Sequence, residues 1–317
     1  MANTISNAFV KQYGSAVHMN AEINGGKFAG KVREESITGE AAFYETLDSV
    51  FADAAGAQFS DSPNGEVAHD RRMLTPVDLE VGLMIDNWDK VKTLANFEGH
   101  YVKRMVEALM RKKDIQVITG ALGSAQTGKT GSTTTTFDYT NQVVAVTVGG
   151  GGGNAGLNLA KLKEAKAKFW KNGVNIEDPN KKLYLVCAGK QIENLLNDDE
   201  AINADYNSVR ALVNGDINSY MGFEIIRSEL VPYVNAGTVE LSWDASDVPE
   251  DTAGTEIRGC FAYSKDSLLC ATNPDIFTKI AERSDKRFNW YAYAALGTAT
   301  VRMEEKGVVL IPCDETV

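Results

Sequence analysis

Apolar residues recur with helical spacing most clearly between Phe97 and Leu122, where Val102, Met105, Val106, Leu109 and Met110 fall at i, i+3, i+4, i+7 and i+8. Such spacing lines up one stripe of a 3.6-residue turn, so it predicts an amphipathic helix whose stripe is core. The opposite face carries Lys103, Arg104, Arg111 and Lys112. Asn96 can accept from the first free amides, and Gly120 with Gly123 can end the helix. A second helix is predicted at about 157–172, closed by Gly173, with short helices near 191–196 and 207–213. Apolar runs at 143–148, 182–187, 223–226, 239–243 and 260–263 read as strands. A long aromatic strand covers Phe288–Met303, followed by a tight turn at Glu304–Gly307 and a last strand at Val308–Ile311.

Upstream of the long helix the pattern is weaker. Residues 1–35 read as an extended or weakly helical arm with Gly25, Gly26 and Gly30 as breakers. A mixed stretch with Phe43, Tyr44 and Phe51 leads to a polar tip at 56–70, where Pro63-Asn64-Gly65 is a turn signal. Beyond it Leu74, Val77, Leu79, Val81 and Leu83 suggest one strand running from Arg71 to Leu83. Two extended segments around such a tip predict a long projecting hairpin or loop.

Composition narrows the function classes. A chain of 317 residues with 44% hydrophobic and 24% charged positions has the length for one large domain or two ordinary ones and can bury a real core. Its formal charge is −11, opposite to the basic surplus that phosphate neutralisation asks of a nucleic-acid reader. Residues 189–256 hold fourteen acids and three bases, so this one segment carries the whole imbalance and reads as a subdomain with a solvated acidic face. No run of 18 apolar residues predicts a bilayer span, and the opening MANTISNAFVKQYGS lacks the apolar core of a secretory signal. Cys187, Cys260, Cys270 and Cys313 form no CxxC pair, which favours reduced, buried thiols over a zinc site or a disulfide framework. His18, His69 and His100 stand alone, without the spacing of metal ligands.

Two glycine-rich motifs suggest phosphate chemistry by letter and not by context. Gly123–Thr130 (GSAQTGKT) matches the Walker A pattern, but a helix precedes it and GSTTTT follows, leaving no helix whose amides could cap a phosphate. The stretch 123–142 is instead predicted to be an exposed loop. Gly151–Gly156 matches GxGxxG between a predicted strand and helix, yet no acid ends the next strand to hold a ribose. Five successive glycines from Gly149 read better as a hinge. No GxSxG or nucleophile–histidine signature occurs, and neither catalytic residues, cofactor nor metal is assigned.

The order of segments, with VKQYGSAVH and GGKF early, then HDRRMLTPVDLEVGLMIDNWDKVK and RKKDIQVITGALGSAQTG, resembles the major capsid proteins of tailed bacteriophages. The resemblance spans the whole chain, and its most specific block is His69–Lys92 with the helix after it. It implies an α+β Hong Kong 97-type fold. In that layout 1–35 is the N-terminal arm and 36–82 the extended loop. The stretches 83–148 and 288–317 form the peripheral domain, with its spine helix at about 97–122, and 149–287 the axial domain.

By the same resemblance the chain is a structural shell protein, not an enzyme. It would pair with itself in pentamers and hexamers forming an icosahedral shell around double-stranded DNA, in the virion and, during assembly, in the host cytoplasm. Separate scaffolding, portal and decoration proteins are the expected further partners, with DNA met only by non-specific proximity and no membrane involved. Phe59, Arg71, Arg72, Leu74, Asp86 and Asp89 are the candidate inter-subunit contacts; both arginines could equally pair within the chain with Asp86 and Asp89. Lys103, Arg104, Arg111 and Lys112 are the candidate lumen-facing basic face. The arm is short for an internal scaffold, and Lys27 and Lys31 have no assignable cross-linking role. The alternatives carried forward are an encapsulin-like compartment and a nucleotide-dependent enzyme using a glycine loop.

Overall fold

The computed structural model describes residues 25–48, 50, 52, 67–85, 98–174, 181–197, 219–235, 237–273 and 277–316. In chain order, strands β1 (Arg33–Ser36), β2 (Ala42–Leu47), β3 (His69–Leu74) and β4 (Val77–Ile85) precede the 25-residue helix α1 (Glu98–Leu122). Strands β5 (Ala125–Thr127) and β6 (Thr133–Thr135) lead to α2 (Leu159–Lys171), β7 (Leu183–Cys187) and α3 (Gly189–Asn197). Then come β8 (Ser219–Tyr220), β9 (Phe223–Arg227), β10 (Tyr233–Asn235), β11 (Thr238–Glu240) and β12 (Ile257–Ser264). The chain closes with β13 (Leu268–Thr272), β14 (Phe277–Arg283), β15 (Asn289–Arg302) and β16 (Val308–Asp314).

These strands form three sheets. The largest centres on β12, with β16 along one edge and β7 and β10 along the other, and continues through β9 to β8. All five residues of β7 and all seven of β16 are buried, which explains why both read as unbroken apolar runs. Asn158 caps α2 by accepting from the Lys161 amide at 2.9 Å, while its own Nδ2 donates to Val148 O. Lys161 faces the core from α2 and donates to the carbonyls of Ala155 (2.6 Å) and Pro312 (2.7 Å), tying helix to sheet. Its burial lowers its pKa.

The second sheet is built on β15. Strand β4 pairs along one edge from Trp290 to Thr298, and β14 and β13 share the other, with β1 parallel to β13 outside it. Alternation along β15 turns Ala292, Ala294 and Leu296 toward α1, where they meet Met105 and Leu109 and the partly buried Leu79, Val81 and Leu83. Met105 and Leu109 are fully buried; Val102, Val106 and Met110 are half-buried along the margin of the same stripe. The third sheet is the small β2-β3-β5-β6 array.

Several expectations change. The predicted strand from Arg71 to Leu83 is two strands in different sheets, because Pro76 lacks the amide needed to continue the ladder. Pairing with β15 therefore begins at Val77, upstream of residue 83. The expected loop 123–142 contains the β5–β6 hairpin, and 143–148 is a turn with a single bridge from Val143 to Leu310. Within the stretch read as an arm, Phe28 and Val32 are core residues and β1 is in a sheet. Strand β16 pairs with β12 and so groups with 149–287 instead of with β15. Gly120 lies inside α1, whose last turn closes through the Gly123 amide on Thr119 O. Strands β13 and β14 were not anticipated. The predicted helix at 207–213, and the Asn96 cap, lie outside the described residues.

Asp114 anchors the first described segment to α1: its carboxylate accepts from the Lys27 amide at 3.1 Å, with the Gly26 and Phe28 amides beside it. Burial outweighs these bonds and raises its pKa to about 6. Because the folded chain favours the neutral acid, this group's contribution to stability is full below about pH 4 and is lost as pH rises through about 6. The advantage of Asp114→Asn over the unaltered chain should accordingly be about 2 kcal/mol larger at pH 7.5 than at pH 4.5. Urea unfolding at both pH values measures this, and a pH-independent difference contradicts it.

Candidate assembly surfaces

Strands β2 and β3 pair antiparallel over six positions, so the projecting hairpin expected around residues 56–70 is present at its base. One face of β2 presents Phe43, Glu45 and Leu47 to solvent, with Leu47 65% exposed and Val50 exposed just beyond. Arg71 lies opposite Glu45 and forms a two-pronged pair with it at 3.0 and 2.7 Å. This exposed pair rigidifies the hairpin and is worth at most about 1 kcal/mol.

The root of the hairpin is held differently. Arg302, fully buried at the end of β15, donates Nη1 to the carbonyls of Ala121 (2.7 Å) and Gly123 (2.8 Å) at the C-terminus of α1. Its Nε donates to Glu305 at 2.6 Å, and its guanidinium lies over the Phe137 ring. The other Glu305 oxygen is 3.4 Å from Arg72, which is itself buried and 4.0 Å from Asp70. One carboxylate thus joins the hairpin, the long helix and the central strand of the second sheet. Arg72 Nε and Nη1, Arg302 Nη2 and Glu305 Oε1 make no hydrogen bond, so Glu305 is shared between two buried cations.

The candidate contacts divide accordingly. Arg71 and Arg72 pair within the chain, with Glu45, Glu305 and Asp70 as partners. Leu74 is not a surface contact: it is 2% exposed and packs with Ile37, Leu269, Val301 and Met303 of its own chain. Phe59, Asp86 and Asp89, the pairing partners expected for the arginines among them, lie outside the described residues. On α1 the basic face is largely compensated. Lys103 and Arg104 approach Glu107 at 4.0 and 3.8 Å, while Arg111 (3.5 Å) and Lys112 grip Asp247 of a distant turn. Asp247 is buried in a left-handed conformation.

Sequence reasoning missed Arg302, Glu305 and Asp247. Arg302 stands at the end of an apolar run, and nothing in its neighbours signals a buried charge. The four cysteines are free and buried. Cys187, Cys260 and Cys313 sit on the neighbouring strands β7, β12 and β16, and burial pushes the Cys187 thiol up to about 12, far from a reactive thiolate. His69 lies exposed on β3, His100 falls in α1, and His18 is outside the described residues.

The two glycine motifs have structural roles. The Walker-like stretch forms β5 and its turn, with Gly131 left-handed and so close to Met73 that a Cβ would fall 2.2 Å from its sulfur. Lys129 is exposed there, and β6 follows where a phosphate loop needs a helix. In the glycine run, Gly149 is left-handed and a Cβ would fall 2.3 Å from Asn158 Nδ2, so glycine lets the capping side chain approach. The amide end of α2 is occupied by that cap. No helix among the described residues is long and apolar enough to cross a membrane, and no metal-ligating cluster occurs among them.

The described residues thus present a β2–β3 hairpin whose root is tied to the body through Arg72, Glu305 and Arg302. A family model described as phage capsid protein matches residues 5–315, and the chain belongs to that family. Solved structures that it is similar to include phage capsids. The head of Helicobacter pylori bacteriophage KHP40 matches with TM-score 0.71 at 12% identity over 99% of this chain and 98% of that one. The acid-stable capsid of H. pylori bacteriophage KHP30 matches with TM-score 0.69, also at 12% identity and over the same shares. The capsid of cyanophage P-SCSP1u matches with TM-score 0.63 at 12% identity over 98% and 94%. No curated protein matches. The fold is the Hong Kong 97-type α+β capsid fold, and the chain is a structural major capsid protein of a phage head shell, located in the virion. The compartment and nucleotide-enzyme alternatives are not favoured.

Removing the shared carboxylate leaves the buried Arg302 guanidinium without its counter-ion and Arg72 with only Asp70 at 4.0 Å. Glu305→Ala should therefore cost on the order of 3 kcal/mol of folding stability. Urea unfolding reads this directly, and an unchanged midpoint contradicts the shared-carboxylate arrangement.

Proposed function

We propose that copies of this chain join head to tail into pentamers and hexamers, which close into an icosahedral shell around double-stranded DNA in the host cytoplasm. The observation that carries this reading is the β2–β3 hairpin: it exposes Phe43, Leu47 and Val50 on a rigid support while its root is locked into the body. Apolar side chains held out on a projecting hairpin are a surface made to be covered, and in a rotational assembly a neighbour covers them. The layout supports an extended loop built on the hairpin, a peripheral domain around α1 and β15, and an axial domain around β7, β9 and β12. Scaffolding, portal and decoration proteins would be separate chains.

Electron microscopy of the purified protein, alone and co-expressed with other phage proteins, tests the reading: closed shells or capsomers are expected, and a monomer or dimer under every condition overturns it. Phe43→Ser with Leu47→Ser should suppress shells at least about tenfold while leaving the melting temperature of the free subunit within a few degrees, since both positions are exposed. The basic residues at the solvent margin of α1 are proposed to face the packaged DNA. Reversing Lys103 and Arg104 to glutamate should then shorten the packaged genome, and unchanged genome length counts against that orientation.

A further inference from the structure

The face of the β15 sheet turned away from α1 carries Tyr291 and Tyr293, stacked 6.3 Å apart, and ends in an open groove of about 550 Å³. Asp78 and Glu80 of β4 and Asn273 line it, together with Tyr293 and Phe277, which meet edge-on at 6.2 Å. Glu80 accepts from the Tyr293 hydroxyl at 2.9 Å, and among the described residues no cation pairs with either carboxylate. Phe277 is 56% exposed. Two uncompensated acids beside aromatic walls suit a cationic side chain next to an apolar one.

The connection between β14 and β15 has the complementary character. Asp285 is gripped inside the turn by the two-pronged Arg283, at 3.0 and 2.7 Å, and Lys286 and Arg287 beside it are exposed with no close ion pair among the described residues. Arg287 and Phe288 both adopt left-handed backbone (φ 53° and 57°), a conformation non-glycine residues rarely take, and Phe288 is held outward at 61% exposure. The groove lies at Phe277 and the turn beyond Arg283, at opposite ends of β14. Six steps of extended strand separate them by about 20 Å, so a chain cannot place its own turn in its own groove.

We propose that the Lys286–Phe288 turn of one copy seats in the Asp78–Glu80 groove of a second copy. Lys286 and Arg287 meet the two carboxylates, and Phe288 packs against Phe277 and Tyr293. The contact is heterologous, each copy offering one turn and one groove, so it passes from copy to copy as a closed shell requires. It deepens the assembly reading and rests on it.

Charge reversal tests it under conditions where the unaltered chain forms shells. Lys286→Glu with Arg287→Glu, or Asp78→Lys with Glu80→Lys, should each cut the shell yield about tenfold or more, and the four-site exchange should restore it to within about twofold. Melting of the free subunit checks that all variants fold. In a second readout, Glu80→Cys with Lys286→Cys, oxidised with copper(II)–phenanthroline and oxygen, should link separate copies by disulfides. The contact is overturned if either reversed pair assembles like the unaltered chain, or if the exchange does no better than the pairs. It is also overturned if reversal of the turn leaves shells intact and changes only the length of packaged DNA. Should the unaltered chain form neither shells nor capsomers under any condition, the assembly reading fails; cross-linking of the cysteine pair at high concentration then supports the contact, and its absence overturns it.

Discussion

The position of the projecting hairpin depends on one carboxylate shared between two buried arginines. Glu305 binds Arg302, which closes the C-terminus of α1, and faces Arg72, which belongs to the hairpin. The last carbonyls of a helix carry partial negative charge and lack intrahelical donors, so a buried guanidinium there satisfies geometry and field together. Packing alone can slide by a fraction of an ångström. The directed bonds of Arg302 to Glu305 and to the end of α1 hold that carboxylate in place, and its ion pair with Arg72 ties the root of the hairpin to it. The incomplete hydrogen bonding of the same arginines marks the junction as one whose charge balance is tight.

From that junction the molecule separates rigidity from adhesion. The apolar core runs from the second half of α1 through β7, β12 and β16, where three strands are almost wholly buried. Exposed apolar residues lie outside that core, among them Phe43 and Leu47 on the β2–β3 hairpin and Phe288 at the β14–β15 turn. Exposed ion pairs and small apolar patches are individually weak. A shell built from many copies gains its stability by repetition, and weak individual contacts let misplaced copies leave before the shell closes.

Matches by letter were poor guides to chemistry here. The Walker-like GKT and the GxGxxG stretch contain glycine because a hairpin turn and a helix cap need left-handed backbone and close approach, requirements they share with phosphate sites. What distinguishes the two uses is the element that follows. A strand after Lys129, and a side-chain cap at the start of α2, leave no free amide cradle. Conversely, the resemblance carried by His69–Lys92 and the order of elements led to the right family at an identity to solved capsids of about 12%.

The long helix, α2, the buried strands β7, β12 and β16 and the aromatic strand β15 were legible in the chain, because periodicity reports which side of an element faces the core and local residues determine that side. The break at Pro76 was not read, although the proline was visible, since only its neighbours in space show that β3 and β4 join different sheets. Leu74 shows the limit most plainly: a leucine at the foot of an exposed hairpin has the same local signature whether its own chain or a neighbour covers it, and here its own chain does. Strands β13 and β14, the Arg302–Glu305–Arg72 network and the grip of Arg111 and Lys112 on Asp247 all join residues far apart in sequence. Hydrophobic pattern is a property of neighbours along the chain, whereas charge pairing and strand partnership are decided by neighbours across it. The class of fold and its main helix were therefore contained in the linear order, and only the folded arrangement selected which polar residues are buried, paired or left at the surface.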